Sequence, residues 1–304
     1  MRLEVVMLDT KTEKVKRVIS FSGGSTSAYM ARLLQLKNTG DYDLKYVFAN
    51  TGCEAEETLQ FIDRCAKEWD MDIVWIEARV IQGRVSSQFN LVDFETAARE
   101  GEPFERVIEK YGIPNPAYPH CTRELKVNPM NAWIKSIGWK DQERCIGIRV
   151  DEIDRMSKLA KKNKLVYPLI SPYPTNSAQI YEWWAKQPFK LELDQFKGNC
   201  TTCYKKTYRK LATVMQETPE AFDFFERMEK QHGLSGHNLD GTKRKFFRGH
   251  RTVQDIRDMA AKSDFIPFVG NLLQKDPLLE ATNGCSESCE AFGDESLQDN
   301  EGGG

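Results

Sequence analysis

Short apolar runs alternate with amphipathic segments over the first half of the chain. The runs at residues 18–21, 45–49, 72–77 and 144–148 predict strands. Apolar residues with helical spacing predict helices at residues 27–34, 56–68 and about 124–137. Strands and helices that alternate in this way are typical of a parallel sheet covered by helices on both faces. The pattern therefore predicts an α/β fold with a Rossmann-like parallel sheet.

The remaining segments divide the chain further. Residues 80–117 predict an irregular insertion with one or two helices, and the apolar run 165–169 predicts a sheet edge because Pro168 cannot donate to a ladder. Helical spacing dominates beyond Lys206, and the residues after about 281 are acidic and glycine-rich, as in a mobile tail. We therefore expect the following division: a sheet-containing domain over residues 1–206, a mainly helical extension over residues 207–280 and a tail over residues 281–304.

Composition changes this picture little. The sequence has 304 residues, a net charge of -2 and 40% hydrophobic residues, as in an ordinary globular protein. That charge offers no general attraction to nucleic acid or to an anionic membrane. No apolar run approaches the ~18 residues that span a bilayer, and the apolar run at the start is too short for a secretory signal. We expect a cytoplasmic protein with no membrane partner.

A glycine pair among hydroxyl residues joins the first predicted strand to the first predicted helix: Ser22-Gly23-Gly24-Ser25-Thr26-Ser27. Glycines let the backbone come close to a ligand, and the N–H groups at a helix start favour an anion. The loop follows a strand's carboxyl end, where open α/β sheets bind their ligands. It is therefore a candidate phosphate site, although a tight turn with serine capping would use the same residues.

The segment Phe21–Ser27 resembles the phosphate loop of the N-type ATP pyrophosphatases, also called adenine nucleotide alpha hydrolases or PP-loop proteins. Within that superfamily the chain is most similar to the phosphoadenylyl-sulfate (PAPS) reductase family. Further segments match this family in order over residues 16–210: Asn50-Thr51-Gly52 with Glu57-Thr58, Cys121-Thr122-Arg123-Glu124-Leu125-Lys126, Gly147-Ile148-Arg149-Val150-Asp151-Glu152 with Arg155, Pro168-Leu169 followed by Trp183, and Cys200-Thr201-Thr202-Cys203. Each motif is weak singly, and six in the same order are specific.

This resemblance implies a ligand and a set of site residues. It implies that an adenine nucleotide, PAPS or ATP, is bound by the loop, by residues 50–52 and by Gly147, Arg149 and Arg155. It also implies that Arg149 and Lys126 act on the phosphate or sulfate groups during catalysis. Arginine suits such groups because its planar fork makes two charge-assisted hydrogen bonds.

One position departs from the family's pattern with a chemical consequence. The usual loop reads Ser-Gly-Gly-x-Asp-Ser, and Thr26 stands at the aspartate position. Cleavage of ATP between its α and β phosphates normally uses Mg²⁺, and a lost carboxylate weakens an Mg²⁺ site. PAPS reductases break no phosphoanhydride bond. A role for Mg²⁺ therefore stays open. The nearby carboxylates that could hold it are Glu54, Glu56, Glu57, Asp151 and Glu152.

Three cysteines suit a metal or redox centre. Cys200 and Cys203 have the spacing that lets two thiols reach one centre. The resemblance to the family implies that Cys121 lies near them. A [4Fe-4S] cluster normally has four cysteine ligands, so its fourth ligand is unidentified. The alternatives are zinc, with His120 or a tail cysteine as fourth ligand, and unmetallated redox thiols.

The other five cysteines have different interpretations. Cys53, Cys65 and Cys145 lie in apolar or amphipathic segments and are interpreted as packing residues, since free cysteine behaves as a small hydrophobe. Cys285 and Cys289 lie in the predicted tail. PAPS reductases attack the sulfate sulfur with a thiolate near the C-terminus, so either could be the nucleophile or a cluster ligand. The family's usual Glu-Cys-Gly motif is absent from this tail.

Three functions fit these motifs. One is reduction of PAPS with a thiol partner such as thioredoxin, which Thr26 and the Pro-Leu-Trp segment favour. Another is ATP-dependent thiolation of a nucleic-acid acceptor, tRNA or DNA, which the Ser-Gly-Gly loop and the three cysteines favour. The third is a non-catalytic nucleotide-binding module, also supported by Thr26. We expect an enzyme, an oxidoreductase or sulfurtransferase. The basic segment 205–210 is interpreted as a solvated face, with a substrate or nucleic-acid patch as the alternative.

Overall fold

The computed structural model describes residues 14–233, 242–247 and 249–269. Its six strands form one sheet: β1 (Val15–Ser20), β2 (Tyr42–Asn50), β3 (Ile73–Arg79), β4 (Gln88–Val92), β5 (Glu143–Cys145) and β6 (Leu165–Val166). The strand order is β4-β3-β2-β1-β5-β6. All neighbours pair in parallel except β3 and β4, which are antiparallel. The predicted α/β fold with a parallel Rossmann-like sheet is confirmed.

Helices connect and cover these strands. The α-helices are α1 (Ser25–Lys37), α2 (Glu56–Trp69), α3 (Glu102–Tyr111), α4 (His120–Thr122), α5 (Asn128–Ser136), α6 (Ser177–Ala185), α7 (Tyr208–Glu217), α8 (Asp223–His232) and α9 (Val253–Ala260). A π-helical turn, Arg123–Val127, joins α4 to α5. Short 3-10 helices span Val150–Arg155, Gln195–Lys197 and Pro219–Phe222. The described residues beyond Lys206 are thus mainly helical, as predicted.

The sheet is buried on both faces because apolar residues follow one another along its central strands. Ile19 and Phe48 point into one hydrophobic core, which also contains Trp184 of α6. Their neighbours Val18 and Val47 point into another core on the opposite face. This is the pattern expected of a parallel strand that is covered from both sides.

A separate hydrophobic core holds the helical part of the chain. It contains Phe222 and Phe225 from the region of α8, together with Phe246 and Phe247, and it reaches Phe104 of α3. The helical part therefore packs against the insertion that follows β3. That insertion differs from the prediction, because it contains the edge strand β4 in addition to α3.

Within the described residues, no helix combines the length and the apolar character needed to cross a bilayer.

Candidate functional site

The loop after β1 makes a turn that requires glycine. Gly23 has a φ of +83°, which L side chains rarely adopt. A Cβ atom added there would lie 2.5 Å from Thr58 Cγ2 and 3.0 Å from Ile62 Cδ1, both on α2. The backbone at Gly23 therefore packs directly on α2, which fixes the path of the loop.

Two serines close the loop by hydrogen bonds. The backbone N–H of Ser22 donates to Ser27 Oγ at 3.1 Å, and the two hydroxyl oxygens lie 2.9 Å apart. Ser27 Oγ in turn donates to the carbonyl oxygen of Gly24 at 3.0 Å. The Ser27 side chain is 1% exposed. It stabilises the loop from within, whereas Ser22 and Ser25 are partly exposed.

Helix α1 starts at this loop with no side chain covering its N-terminus. Gly24 is the N-cap, no side-chain capping bond is present, and the first turn holds no acidic residue. The first N–H groups of a helix have no partner within it, and they favour an anion. Trp184 fixes the start of the helix because its Nε1 donates to the carbonyl oxygen of Ser25 at 3.0 Å. The loop and helix start therefore suit a phosphate group.

Arg149 reaches the loop from the segment that follows β5. Its Nη1 donates to Thr26 Oγ1 at 3.0 Å, and both side chains are buried. Its Nε donates to Asp151 Oδ1 at 3.1 Å, and its Nη2 lies 3.5 Å from Glu152 Oε1. The same Glu152 oxygen lies 2.5 Å from Arg155 Nη1. The carboxylates hold both guanidinium groups in place, and the pairing with Arg149 contributes to lowering the pKa of Asp151 despite partial burial.

An open pocket lies beside the loop, with an empty volume of ≈ 510 Å³ that includes adjoining solvent. Its lining residues are Ser22, Gly24, Ser25, Thr26, Ser27, Arg149, Ser177, Ile180, Tyr181, Leu191, Leu193, Asp194 and Gly198. Hydroxyl and guanidinium groups line one part, and apolar side chains from α6 and residues 191–193 line another. A pocket with both characters suits a ligand with an anionic end and a flat, less polar end.

The end of β2 carries a network of buried polar groups. Asn50 Nδ2 donates to Glu77 Oε1 at 2.6 Å and to the carbonyl oxygen of Ala98 at 2.9 Å. Burial raises the pKa of Glu77. The Thr51 backbone N–H and hydroxyl donate to the Glu54 carboxylate, at 3.0 and 2.8 Å. These groups, with the buried Gly52, contact protein atoms and are not among the residues that line the pocket.

Four of the five suggested magnesium carboxylates contact other protein groups, and the fifth, Glu57, is exposed. Glu54 accepts from Thr51, and Glu56 forms an ion pair with Arg99 at 2.7 Å. Asp151 and Glu152 contact arginines, as described above. The carboxylate that lines the pocket is that of Asp194, which the sequence motifs did not indicate.

The Cys-x-x-Cys segment lies against the turn that follows β2. An isolated antiparallel bridge pairs Cys200 with Glu54, and the N–H of Thr201 donates to the carbonyl oxygen of Cys53 at 3.2 Å. The Sγ of Cys200 lies 3.4 Å from Thr51 Oγ1 and 3.9 Å from Glu54 Oε1. The third predicted thiol, Cys121, lies at the start of the 120–136 helical segment, and its Sγ is 3.8 Å from the hydroxyl of Tyr204, the residue after Cys203.

Buried polar residues fix the helical segment that carries Cys121. His120 Nε2 lies 2.9 Å from the carbonyl oxygen of Gly112, and burial lowers the pKa of His120 to about 4. The Glu124 carboxylate accepts from the backbone N–H and hydroxyl of Ser87, at 2.9 and 2.8 Å. Lys126, predicted to face the nucleotide, is 7% exposed on the π-helical turn and is not among the pocket-lining residues.

The basic segment after Cys203 is less exposed to solvent than its run of charged residues predicts. Lys206 is 4% exposed, and its Nζ donates to the carbonyl oxygens of Gly198 and Thr201 at 3.1 and 2.8 Å. The interpretation of Lys206 as part of a solvated face is therefore wrong. Its charge instead holds the turn that contains the Cys-x-x-Cys segment.

The structure thus brings the loop 22–27 and Arg149 to one pocket, while residues 50–52 and Lys126 are not among its lining residues. Gly147 is buried two residues before Arg149 in the chain, and Arg155 contacts Glu152, which also contacts Arg149. Cys285 and Cys289 lie outside the described residues. A different group of ligand atoms, all within 4.8 Å of one another, comes from Glu105, Glu109 and His232 of α3 and α8. Among the described residues it is the one such trio of His, Cys, Asp or Glu.

The comparisons with known proteins agree with the motifs. Residues 16–164 match the phosphoadenosine phosphosulfate reductase domain family. The uncharacterised nin region protein ORF290 of Escherichia phage lambda is 30% identical over 282 residues, which cover 91% of this chain and 95% of that protein. An uncharacterised protein of Methanocaldococcus jannaschii is 25% identical over 238 residues, which cover 75% of this chain but only 44% of that protein.

A solved structure shows a weaker likeness to this chain. It is the U34-tRNA thiolase NcsA from Methanococcus maripaludis with its [4Fe-4S] cluster, which is 16% identical and has a TM-score of 0.35 over 74% of this chain and 70% of that chain. A likeness this weak carries no inference about the site or its chemistry.

Proposed function

The chain belongs to the phosphoadenosine phosphosulfate reductase domain family, and on that premise we propose that it is an enzyme of sulfur chemistry that acts on an adenylyl nucleotide. The nucleotide phosphates bind at the loop 22–27 and Arg149. The sulfur chemistry takes place at the thiols of Cys121, Cys200 and Cys203. The substrate that the site favours is PAPS or its close relative adenylyl sulfate.

The segment that leads from the pocket to Cys200 is the main support for this proposal. The segment after α6 lines the pocket at Leu193, Asp194 and Gly198, and two residues later Cys200 pairs with Glu54 at the end of β2. Strands β1 and β2 are neighbours in the sheet and end at the same edge. The anion-binding loop and the thiols therefore lie at one edge of the sheet, as a reaction between a bound nucleotide and a thiol group requires.

Different residues around the pocket bind the phosphates, supply positive charge and exclude water. The N–H groups of the loop and of the first turn of α1 hold phosphate oxygens, which costs little reorganisation because Ser27 and Gly23 already fix the loop. Arg149 adds a positive charge that its carboxylate partners orient. The apolar side chains of Ile180, Leu191 and Leu193 exclude water from the flat part of the nucleotide.

Three thiols on one side of the site also fit the donor set of an iron–sulfur cluster. When bound, such a cluster supplies electrons or holds sulfur at the site. The residues that would hold it are Cys121, Cys200 and Cys203, and Lys206 adds positive charge beneath them.

The protein contacts of Glu54, Asp151 and Glu152 favour reduction of a sulfonucleotide over cleavage of ATP. ATP cleavage normally draws on Mg²⁺ held by carboxylates. Here Thr26 stands at the usual aspartate position and accepts from Arg149. Asp151 and Glu152 pair with arginines, and Glu54 accepts from Thr51.

The test uses protein purified without oxygen. It is incubated with PAPS or adenylyl sulfate plus reduced thioredoxin, and separately with ATP and Mg²⁺. We expect sulfite from the sulfonucleotide, a loss of at least ~10-fold in kcat/KM in Arg149→Gln, and no change in Arg64→Gln, an exposed surface control. Pyrophosphate from ATP would favour nucleic-acid thiolation instead. Binding without turnover would favour an accessory module, and the absence of nucleotide binding would contradict the proposal.

A further inference from the structure

Cys53 lies beside the Cys-x-x-Cys segment, although its sequence context predicts only a packing residue. It follows Gly52 directly at the end of β2, and its carbonyl oxygen accepts from the N–H of Thr201 at 3.2 Å. The next residue, Glu54, is the bridge partner of Cys200. The thiols of Cys53 and Cys200 also interact electrostatically. Two chain segments about 150 residues apart thus each present a cysteine to the same place.

Cys121 lies on a third chain segment. Its Sγ lies 3.8 Å from the hydroxyl of Tyr204, which follows Cys203 in the chain. Cys53, Cys121 and Tyr204 all pack against the same hydrophobic core. Four cysteines from three segments therefore border one partly buried region, in which Cys53, Cys121, Cys200 and Cys203 each keep some exposure.

A positively charged side chain is buried beside the Cys-x-x-Cys segment. The Nζ of Lys206 donates to the carbonyl oxygens of Gly198 and Thr201, at 3.1 and 2.8 Å. Its charge therefore lies within the turn that carries Cys200 and Cys203.

His120 is another candidate for a fourth ligand. Its Nε2 donates to the carbonyl oxygen of Gly112 at 2.9 Å, which leaves Nδ1 as the ring nitrogen that could bind a metal. The ring also packs on Tyr111, at a centroid distance of 5.7 Å. These contacts tie His120 to the loop after α3.

The thiols are spaced more widely than a tetrahedral zinc ion requires. A tetrahedral zinc ion draws its sulfur ligands to within about 4 Å of one another, because each Zn–S bond is about 2.3 Å. In the described part of the chain, no three of these cysteines have their sulfur atoms all within 4.8 Å of one another. A [4Fe-4S] cluster spaces its ligands more widely, since each cysteine binds a different iron.

From this arrangement we propose that Cys53 is the fourth ligand of a [4Fe-4S] cluster held by Cys53, Cys121, Cys200 and Cys203. The proposal builds on the function proposed above, because it identifies the centre that serves the bound nucleotide. It gives Cys53 a role that neither the motifs nor the family comparison assigns. Iron and sulfide are bound as a preformed cluster, and the four thiols lose their protons on binding.

The test measures iron and acid-labile sulfide after anaerobic reconstitution of the full-length chain. The wild type is expected to hold four irons and to show the broad visible absorbance of a [4Fe-4S] cluster. Cys53→Ser is expected to lose iron, giving a cluster that converts to the three-iron form on brief oxidation, as seen by electron paramagnetic resonance. The matched control is Cys65→Ala, a buried cysteine of α2, which should keep the wild-type iron content and spectrum.

A labelling experiment makes the test independent of how Cys53→Ser folds. Holo and apo wild-type protein are treated with iodoacetamide, and each cysteine is quantified by mass spectrometry. We expect Cys53 to be protected in the holo protein and alkylated in the apo protein, together with Cys121, Cys200 and Cys203. Equal labelling of Cys53 in both forms would overturn the proposal, as would full iron content in Cys53→Ser, zinc in place of iron, or a Cys53–Cys200 disulfide without iron.

Nucleotide binding, measured on the same samples, separates this proposal from the previous one. Cys53→Ser should bind nucleotide with the wild-type affinity, since Cys53 does not line the pocket. A chain that holds the four-cysteine cluster but binds no adenylyl nucleotide would contradict the proposed function and support the cluster. A chain that turns over nucleotide without iron would contradict the cluster and support the proposed function.

Discussion

Arg149 Nη1 donates a hydrogen bond to Thr26 Oγ1 at 3.0 Å, between residues 123 positions apart in the sequence. The bond joins the segment after β5 to the first turn of α1, so it ties together two neighbouring strand ends. It also places a guanidinium group at the position where the family's usual aspartate would otherwise attract a cation. The loop therefore has a buried guanidinium group against Thr26, where the family's usual sequence has a carboxylate.

Thr26→Asp should convert this site from one that binds free anions to one that needs a metal. The new carboxylate would pair with Arg149 and repel phosphate, so we expect the Mg²⁺-free affinity for PAPS or ATP to fall by about 10-fold, or ~1.4 kcal/mol. Added Mg²⁺ should recover part of the loss for ATP. Isothermal titration with and without Mg²⁺ measures both effects.

The control for this change is Thr26→Val, which removes the hydroxyl but adds no charge. It should weaken binding only slightly and should create no dependence on Mg²⁺. Tighter Mg²⁺-free binding by Thr26→Asp would count against the role given to Arg149.

Gly23→Ala should damage both the fold and the loop. The substitution combines a φ of +83° with a Cβ contact of 2.5 Å to Thr58 Cγ2, so we expect a loss of about 3 kcal/mol in the free energy of unfolding and loss of nucleotide binding. Urea unfolding and titration calorimetry measure the two effects. Gly83→Ala is the matched control, because Gly83 has a φ of +77° but nothing within 4 Å of an added Cβ. It should lose only about 1 kcal/mol and bind normally.

The order of strands and helices is predictable from the sequence because the central strands are apolar on both faces. Strand β4 is not predictable from the sequence, because it lies at the sheet edge, pairs antiparallel and leaves Leu91 63% exposed. Its segment Gln88–Val92 therefore lacks the continuous apolar run that marks β2 and β3. The insertion is read as irregular for that reason.

The sequence also singles out the loop 22–27 and Arg149, which line one pocket, because each belongs to a short motif with its own chemistry. The positions of Cys53 and Lys206 are not predictable in this way. The role proposed for Cys53 depends on a bridge between Glu54 and Cys200, and no metal-binding spacing to another cysteine marks Cys53 in the sequence. Lys206 stands in a run of basic residues, and only the fold of the turn around its Nζ removes it from water.

Stability should depend on the protonation of His120 at mildly acidic pH. Burial lowers the pKa of His120 from 6.5 to about 4, so the unfolded chain takes up a proton between these values and the folded chain does not. The contribution of His120 is therefore complete above about pH 6.5. It falls by about 1.4 kcal/mol per pH unit as the pH drops toward 4.

Unfolding by urea at several pH values between 4.5 and 7.5 measures this dependence, as the difference between wild type and variant. His120→Gln should flatten the slope over this window, whereas His250→Gln, at an exposed position, should leave it unchanged. An identical slope in wild type and His120→Gln would show that His120 is not buried as a neutral group.

Glu229 should make the free energy of unfolding depend on pH in the opposite direction to His120, over an overlapping range of pH. Its Oε2 accepts from the N–H of Val253 at 2.9 Å, while its Oε1 is buried with no hydrogen-bond partner in the described residues. Burial raises the pKa of Glu229 from 4.5 to about 7, so the folded chain keeps a proton that the unfolded chain has lost. The contribution is present below about pH 4.5 and is lost as the pH rises through 7.

Glu229→Gln should therefore stabilise the protein at pH 8 by about 2 kcal/mol, because it removes the need to bury a carboxylate charge, and the gain should vanish near pH 5. Glu226→Gln is the matched control on the same helix. There, hydrogen bonds to Lys230 and Arg257 lower the pKa of Glu226, so the same substitution should lower the stability at pH 8. A gain for Glu229→Gln that is equal at both pH values would mean better packing rather than a change in protonation.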